Sequence, residues 1–438
     1  MSVGLNMKKI LRNSTLIALL LALAFPGQAE EWDDWDDDAW DDEPSALSIH
    51  GFVEGAAGHR LQSNPAVDED WSLGEARVQL EGIYQGDVAE WHFKLEGIGD
   101  AVMGEFDVDL REARVSFPVG DRTDVRIGRQ ILTWGTGDLV FLNDLFPKDW
   151  VSFLIGRDDE YLKGTSDAVR LSWFGDRFNI DSVVTPRFNA DTYITGERLS
   201  YFDPARDQIA AAPPRLWGRR PSTSVSNAEL AMRVYGMAGA NEWAIYGYRG
   251  FFGQPTAFDP VRGDFTFARL NALGASMRGP MAGGLYNLET VYYDSADDRS
   301  GDDPFNPNSE IRFLAGYERE MATNFTVSGQ YYLEWIQNYG EFRDVWPFNP
   351  DVRPDERRHM VTLRLTWRLM RDNLVISAMN FYSPSARDYF LRPTVQYRFD
   401  DQLQLNAGIH LFGGRDEHSF YGQFEENSSV WTRLRYSF

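Results

Sequence analysis

The stretch "NFTVSGQYYLEW", residues 324–335, alternates without a break. Phe325, Val327, Tyr331, Leu333 and Trp335 fall on one side of an extended chain; Thr326, Ser328, Gln330, Tyr332 and Glu334 fall on the other. A side-chain period of two is that of a β-strand with one greasy and one wet face. The same pattern recurs. In "QLQLNAGIHLF" (402–412), Leu403, Leu405, Ala407, Ile409 and Leu411 oppose Gln402, Gln404, Asn406 and His410. Val78, Leu80 and Tyr84 oppose Arg77, Gln79 and Glu81, and Ala89, Trp91, Phe93 and Leu95 oppose Glu90, His92, Lys94 and Glu96. Most such segments run about 9–14 residues, the length a tilted strand needs to cross a bilayer.

The connections between segments fall into two sets that alternate along the chain. Short polar turns lie near 86–87, 120–121, 175–176, 240–241, 279–284, 322–324, 371–373 and 400–401. The other set is mostly longer: 61–71, 99–106, 134–165, 186–225, 252–264, 295–309, 337–356, 383–388 and 413–427. Short turns on one rim and long loops on the other predict an all-β transmembrane antiparallel up-and-down β-barrel. The count is about 18 strands (16–18), with short periplasmic turns, long outer loops and both termini periplasmic. The patterns at 178–186 and 265–278 are blurred. A soluble sandwich or propeller would also bury one strand face, but needs neither strands this long nor alternating loop lengths.

Composition agrees. The 438 residues include 29 Phe, 19 Tyr and 14 Trp, no Cys, and a formal net charge of −23. Without thiols there is no disulfide framework, thiolate metal site or cysteine nucleophile. Lys8, Lys9 and Arg12 precede the apolar "STLIALLLALAF" and a small residue at Ala29, so residues 1–29 read as an export signal peptide. Residues 30–45 follow as an acidic tail, with ten acids between Glu30 and Glu43 interleaved with Trp32, Trp35 and Trp40. Such a block of like charge predicts disorder and a possible periplasmic partner. The barrel is assigned to 46–438. One position departs from the alternation: if Val125 and Ile127 face lipid, Arg129 does too, unless a bulge at Gly128 turns the chain by one residue or the site is interfacial.

The last strand, "SVWTRLRYSF", places Val430, Thr432, Leu434, Tyr436 and Phe438 on one face, and Trp431, Arg433 and Arg435 on the other. This terminal aromatic, the export signal and the run "GRQILTWG" (128–135) ahead of a mixed-charge loop resemble bacterial outer-membrane porins, of the substrate type related to alginate-export barrels. The resemblance covers nearly all of residues 46–438 and transfers no individual substrate-binding residue. It implies location in the bacterial outer membrane, delivery by the barrel-insertion machinery, and surroundings of lipid and lipopolysaccharide.

The third outer loop, "WGTGDLVFLNDLFPKDWVSFLIGRDDEYLKGT" (134–165), is neither a turn nor an ordinary solvated loop. In many porins this loop folds into the lumen, and the resemblance implies the same here. Its apolar residues, such as Leu142, Phe146, Phe153 and Ile155, are expected against the inner wall. Asp144, Lys148, Arg157, Asp158, Asp159, Glu160 and Lys163 are expected to face water as a constriction. The wet strand faces carry Arg77, Arg114, Arg126, Arg170, Arg233, Arg364, Arg368, Arg392, Arg433 and Arg435 as candidate pore-lining residues, with fewer acids, among them Glu81, Glu90, Glu96, Glu112, Glu289, Glu318 and Glu334. Arginine binds carboxylate or phosphate in a fork, so an arginine-rich lumen points to small anionic solutes, organic acids or acidic sugars.

No hydrolase, metalloprotease or phosphate-loop motif is present, and no cofactor, metal or catalytic residue is expected. The negative charge disfavours nucleic acid. The expected function is passive diffusion through an outer-membrane pore. Two other readings stand beside it: a barrel enzyme using His418, next to Asp416 and Glu417 in the last outer loop, and a scaffold barrel filled by a partner protein.

Overall fold

A computed structural model describes residues 46–438; the expected signal peptide and acidic tail lie outside them. Eighteen strands form one antiparallel sheet that closes on itself. In chain order the first nine are β1 (Leu47–Arg60), β2 (Trp71–Gln85), β3 (Glu90–Asp100), β4 (Glu105–Pro118), β5 (Thr123–Ile131), β6 (Thr165–Phe174), β7 (Asn179–Thr185), β8 (Glu229–Ala238) and β9 (Asn241–Phe251). The rest are β10 (Arg269–Met281), β11 (Gly284–Ser295), β12 (Glu310–Ala322), β13 (Phe325–Ile336), β14 (Arg357–Leu369), β15 (Leu374–Ser383), β16 (Asp388–Arg398), β17 (Leu403–Gly414) and β18 (Ser429–Ser437). The expected count and up-and-down order are therefore found, and the two blurred segments form β7 and β10.

Closure follows from the solvent. Hydrocarbon offers backbone groups no hydrogen-bond partner, so a sheet in a bilayer must have no free edge. Here β1 pairs with β2 on one side and β18 on the other, from Phe52 opposite Ser437 to Arg60 opposite Ser429. The terminal Phe438 exchanges two backbone hydrogen bonds of 2.9 Å with Gly51. Even β7 and β8, separated by the longest loop, are directly paired.

The alternation read in the sequence sets which face is wet. On β13 Tyr331 points outward, while Ser328, Gln330 and Tyr332 are buried inside. On β18 Val430 and Leu434 are exposed and Trp431 and Arg433 are buried. Val361, Leu363, Trp367, Ile376, Val395 and Ile409 continue the outward apolar belt.

Arg129 keeps its place in the alternation. No register shift occurs at Gly128, although its φ is +123°. The bulge lies instead in β4 at Arg111, where Lys94 pairs with Glu112 and Leu95 with Leu110. Arg129 shares the outer face with Ile127 and is neutralised by the cross-strand Asp167, through two hydrogen bonds of 2.7 and 2.9 Å. A matched charge pair near the outer end of β5 removes most of the cost that a lone arginine would carry there. Asp167→Leu should lower stability by about 1 kcal/mol, and adding Arg129→Leu should restore it, measured by urea unfolding in phospholipid vesicles. Equal stability of native protein and Asp167→Leu would contradict this placement.

Candidate functional site

The third outer loop (132–164) turns into the barrel and meets inward side chains from much of the wall. It enters with Trp134 packed edge-on against Phe146, ring centres 4.9 Å apart, and beside Tyr246 of β9. It then reaches β11, where Glu289 is almost fully buried. This carboxylate accepts hydrogen bonds from the Thr136 backbone N–H, from the Thr136 hydroxyl (2.9 Å), from the Gly137 N–H (2.8 Å) and from the Asn143 amide (2.8 Å). Desolvating a carboxylate is costly unless its lone pairs are filled, and the loop backbone fills them. Next to it, Gln330 of β13 donates to the Asp138 carbonyl and accepts from the Asp138 N–H, at 2.9 and 2.8 Å. The Tyr293 hydroxyl donates to the Leu142 carbonyl at 2.6 Å.

The middle of the loop holds the short helix α1 (Trp150–Ile155). Asp149 caps it by accepting from the Ser152 N–H at 2.8 Å. Gly156 ends it at φ +92°, pressed so close to Trp431 that an added Cβ would sit 2.5 Å from the indole. Phe153 packs edge-on against Phe381 and Phe390 of the wall, and Leu154 and Ile155 are buried with them. His410 donates from Nδ1 to the Leu154 carbonyl at 3.0 Å, which leaves Nε2 to face the Arg392 guanidinium at 3.4 Å.

The loop's charged residues also find wall partners. Arg157 forks onto Glu75 of β2 with three contacts of 2.6–3.1 Å, and Glu75 also accepts from Arg77 at 3.0 Å. Arg77 pairs in turn with Glu96, whose carboxylate takes the Tyr161 hydroxyl at 2.6 Å. The Tyr161 ring lies between the Arg77 and Arg111 guanidinium groups, at 4.0 and 4.5 Å. Further along the wall Asp138 pairs with Arg364 (2.7 Å), Asp159 with Arg392 (2.7 Å), Asp158 with Arg433 (3.0 Å) and Glu160 with Arg435 (3.2 Å). Asp144 and Lys148 form a buried pair within the loop at 3.0 Å. Lys163 has no carboxylate within ion-pair distance among the described residues. Asp159 and Glu160 remain the exposed acids of the group.

The other wall arginines lie nearer the turn rim. Arg114 of β4 holds Glu90 and Glu112, at 3.1 and 3.3 Å. Arg170 of β6 and Arg233 of β8 share one carboxylate, Asp181, at 3.1 and 2.6 Å. Arg126 of β5 stands directly opposite Arg170 in the ladder and has no acid partner among the described residues; neither has Arg368 of β14. Glu75, Arg111, Tyr161 and Arg198 were not singled out in the sequence. Arg198, in the fourth loop (186–228), pairs with Asp100 and lies 4.0 Å from Glu75. His418 lies on the wall of the outer vestibule, its ring centre 6.0 Å from that of Phe202.

Two predictions follow from the ties between loop and wall. Removing one partner of a buried ion pair leaves the other uncompensated, at a cost of about 3–5 kcal/mol. Glu75→Gln should therefore let trypsin cut at Arg157 in the folded barrel, while the native protein resists, as read by mass spectrometry. The second concerns pH. Burial raises the Asp138 carboxyl above its ordinary 3.8, against the pull of Arg364. Burial pushes Asp158 the same way, but Arg433 and Arg435 together hold it below 3.8. A depressed carboxyl contributes fully above its unfolded value and loses that contribution as pH falls through its folded value. As pH falls, protonating Asp138 relieves its burial and should leave the loop in place, while the Asp158 tie should release only below 3.8. Current noise of the open channel should stay level as pH falls to 3.8 and rise in one step below it, and Asp158→Asn should raise the noise already at neutral pH.

No protein-family model matches this chain, and no curated protein matches it. Solved structures do. OccAB4 of Acinetobacter baumannii superposes with a TM-score of 0.55 at 8% identity, covering 90% of this chain and 98% of that one. OccD3 (OpdP) of Pseudomonas aeruginosa gives 0.51 at 10% identity, covering 90% and 91%. Both are outer-membrane porins, and at such identities the likeness is one of fold. The chain has the porin fold, a closed antiparallel β-barrel of eighteen strands.

Proposed function

We propose that this barrel is a passive pore for small anionic solutes, organic acids or acidic sugars, with the third loop as its constriction. The observation that carries the anion preference is the strip where Arg126 stands opposite Arg170. Among the described residues Arg126 has no acid partner, and Arg170 shares Asp181 with Arg233. Like charges held face to face on adjacent strands destabilise a sheet, so a solute anion passing the strip relieves repulsion that a cation would increase. Most other wall arginines are neutralised by ion pairs; they shape the lumen more than they charge it. Fixed charge at a narrow, low-dielectric passage sets which ion sign crosses.

Reversal potentials under a salt gradient in a planar bilayer test the reading. The native protein should select anions, and Arg126→Ala with Arg368→Ala should lower the anion-to-cation permeability ratio by about threefold. Cation selectivity of the native channel would contradict the anion preference, and a silent barrel would contradict the pore.

A further inference from the structure

Above the third loop lies an outer vestibule of about 1130 Å³. Its floor is the upper side of the loop, where Phe141 and Trp150 are half-buried; Ile194 and Phe252, also half-buried, continue the surface. This surface gives a sugar acid only the C–H faces of its ring to lay down, and an inorganic anion nothing. It favours a solute that has apolar area to remove from water.

The charges of the vestibule are not all satisfied. The acids near the floor are engaged. Asp144 pairs with Lys148 at 3.0 Å, and Asp191 accepts from the Trp150 indole N–H at 2.8 Å and the Lys148 backbone N–H at 3.0 Å. Glu334 accepts from the Tyr332 hydroxyl at 2.8 Å and lies 3.8 Å from Arg312. Arg358 of β14 is different. Its Nε and one terminal nitrogen are buried without a hydrogen-bond partner, and its guanidinium lies 4.3 Å over the Phe420 ring. The Arg353 Nε, on the same cavity, is likewise buried and unpartnered. Buried N–H donors without acceptors are costly, and an oxyanion with two acceptor oxygens matches the guanidinium fork.

We propose that the vestibule binds an amphipathic anion: an apolar, ring-bearing body laid on Phe141 and Trp150, with a single carboxylate or sulfonate head on Arg358 and Arg353. The inference deepens the pore reading, on which the use of the site rests, by choosing apolar organic acids over acidic sugars as the solute. It requires no conduction to be tested.

The test is calorimetry on the full chain in lipid nanodiscs, with empty nanodiscs titrated to subtract partitioning. The probes are naphthalene-2-sulfonate, glucuronate, which has the charge without the apolar body, and 2-naphthalenemethanol, which has the body without the charge. The sulfonate should bind one per barrel, at least about tenfold tighter than either control, and Arg358→Gln should lose about tenfold. Phe141→Ser, on the floor, should also weaken the sulfonate. Equal binding of glucuronate and the sulfonate, or full binding by a folded Arg358→Gln barrel, would overturn the proposal. Binding without conductance would remove the pore reading and leave this site standing; conductance without binding would do the reverse.

Discussion

Glu75 is the group on which the lumen depends. One carboxylate, almost wholly buried in the wall of β2, receives Arg157 from the third loop and Arg77 from its own strand, with Arg198 of the fourth loop 4.0 Å away. A chain drawn into a barrel brings its own polar groups with it, and each must be matched or hydrated. Glu75 and Glu289 do this at two separated points on the wall, through a guanidinium fork and through loop N–H groups. Between them, Phe153, Leu154 and Ile155 provide the apolar attachment. The loop is thus anchored by charge at its ends and by packing in the middle.

The fold was legible because a barrel strand writes its environment in a period of two, and local spacing is all a single sequence offers. The outward Val430 and Leu434 against the inward Trp431 and Arg433 show how direct that reading is. Arg358 was also within reach: it stands two, four and six residues before Met360, Thr362 and Arg364, on the same inward face. The ties of the third loop were not legible. Asp158 meets Arg433 across 275 residues, and no local pattern encodes such a meeting. Arg129 shows the same limit on a smaller scale. Its alternation was correct, but the cross-strand Asp167 that makes the position tolerable lies on another strand.

Counting arginines on the wet face misjudges the field they produce. Arg77, Arg364, Arg392, Arg433 and Arg435 each face a carboxylate at ion-pair distance. A neutralised pair holds structure and projects little field, whereas a guanidinium without an ion-pair partner, such as that of Arg126, projects its charge into the lumen. The lumen's chemistry therefore lies in a few unmatched cations, placed below and above a loop whose own charges are mostly spent on holding it.

The position of that loop is best tested in a chain that has no native cysteine. Asp159→Cys places one thiol on the exposed front of the loop, and a bulky methanethiosulfonate reagent can then be added to single open channels. A loop inside the lumen predicts a stepwise, irreversible drop in current as each thiol reacts. Complete labelling by mass spectrometry with no change in current would put the loop outside the conduction path and contradict the account.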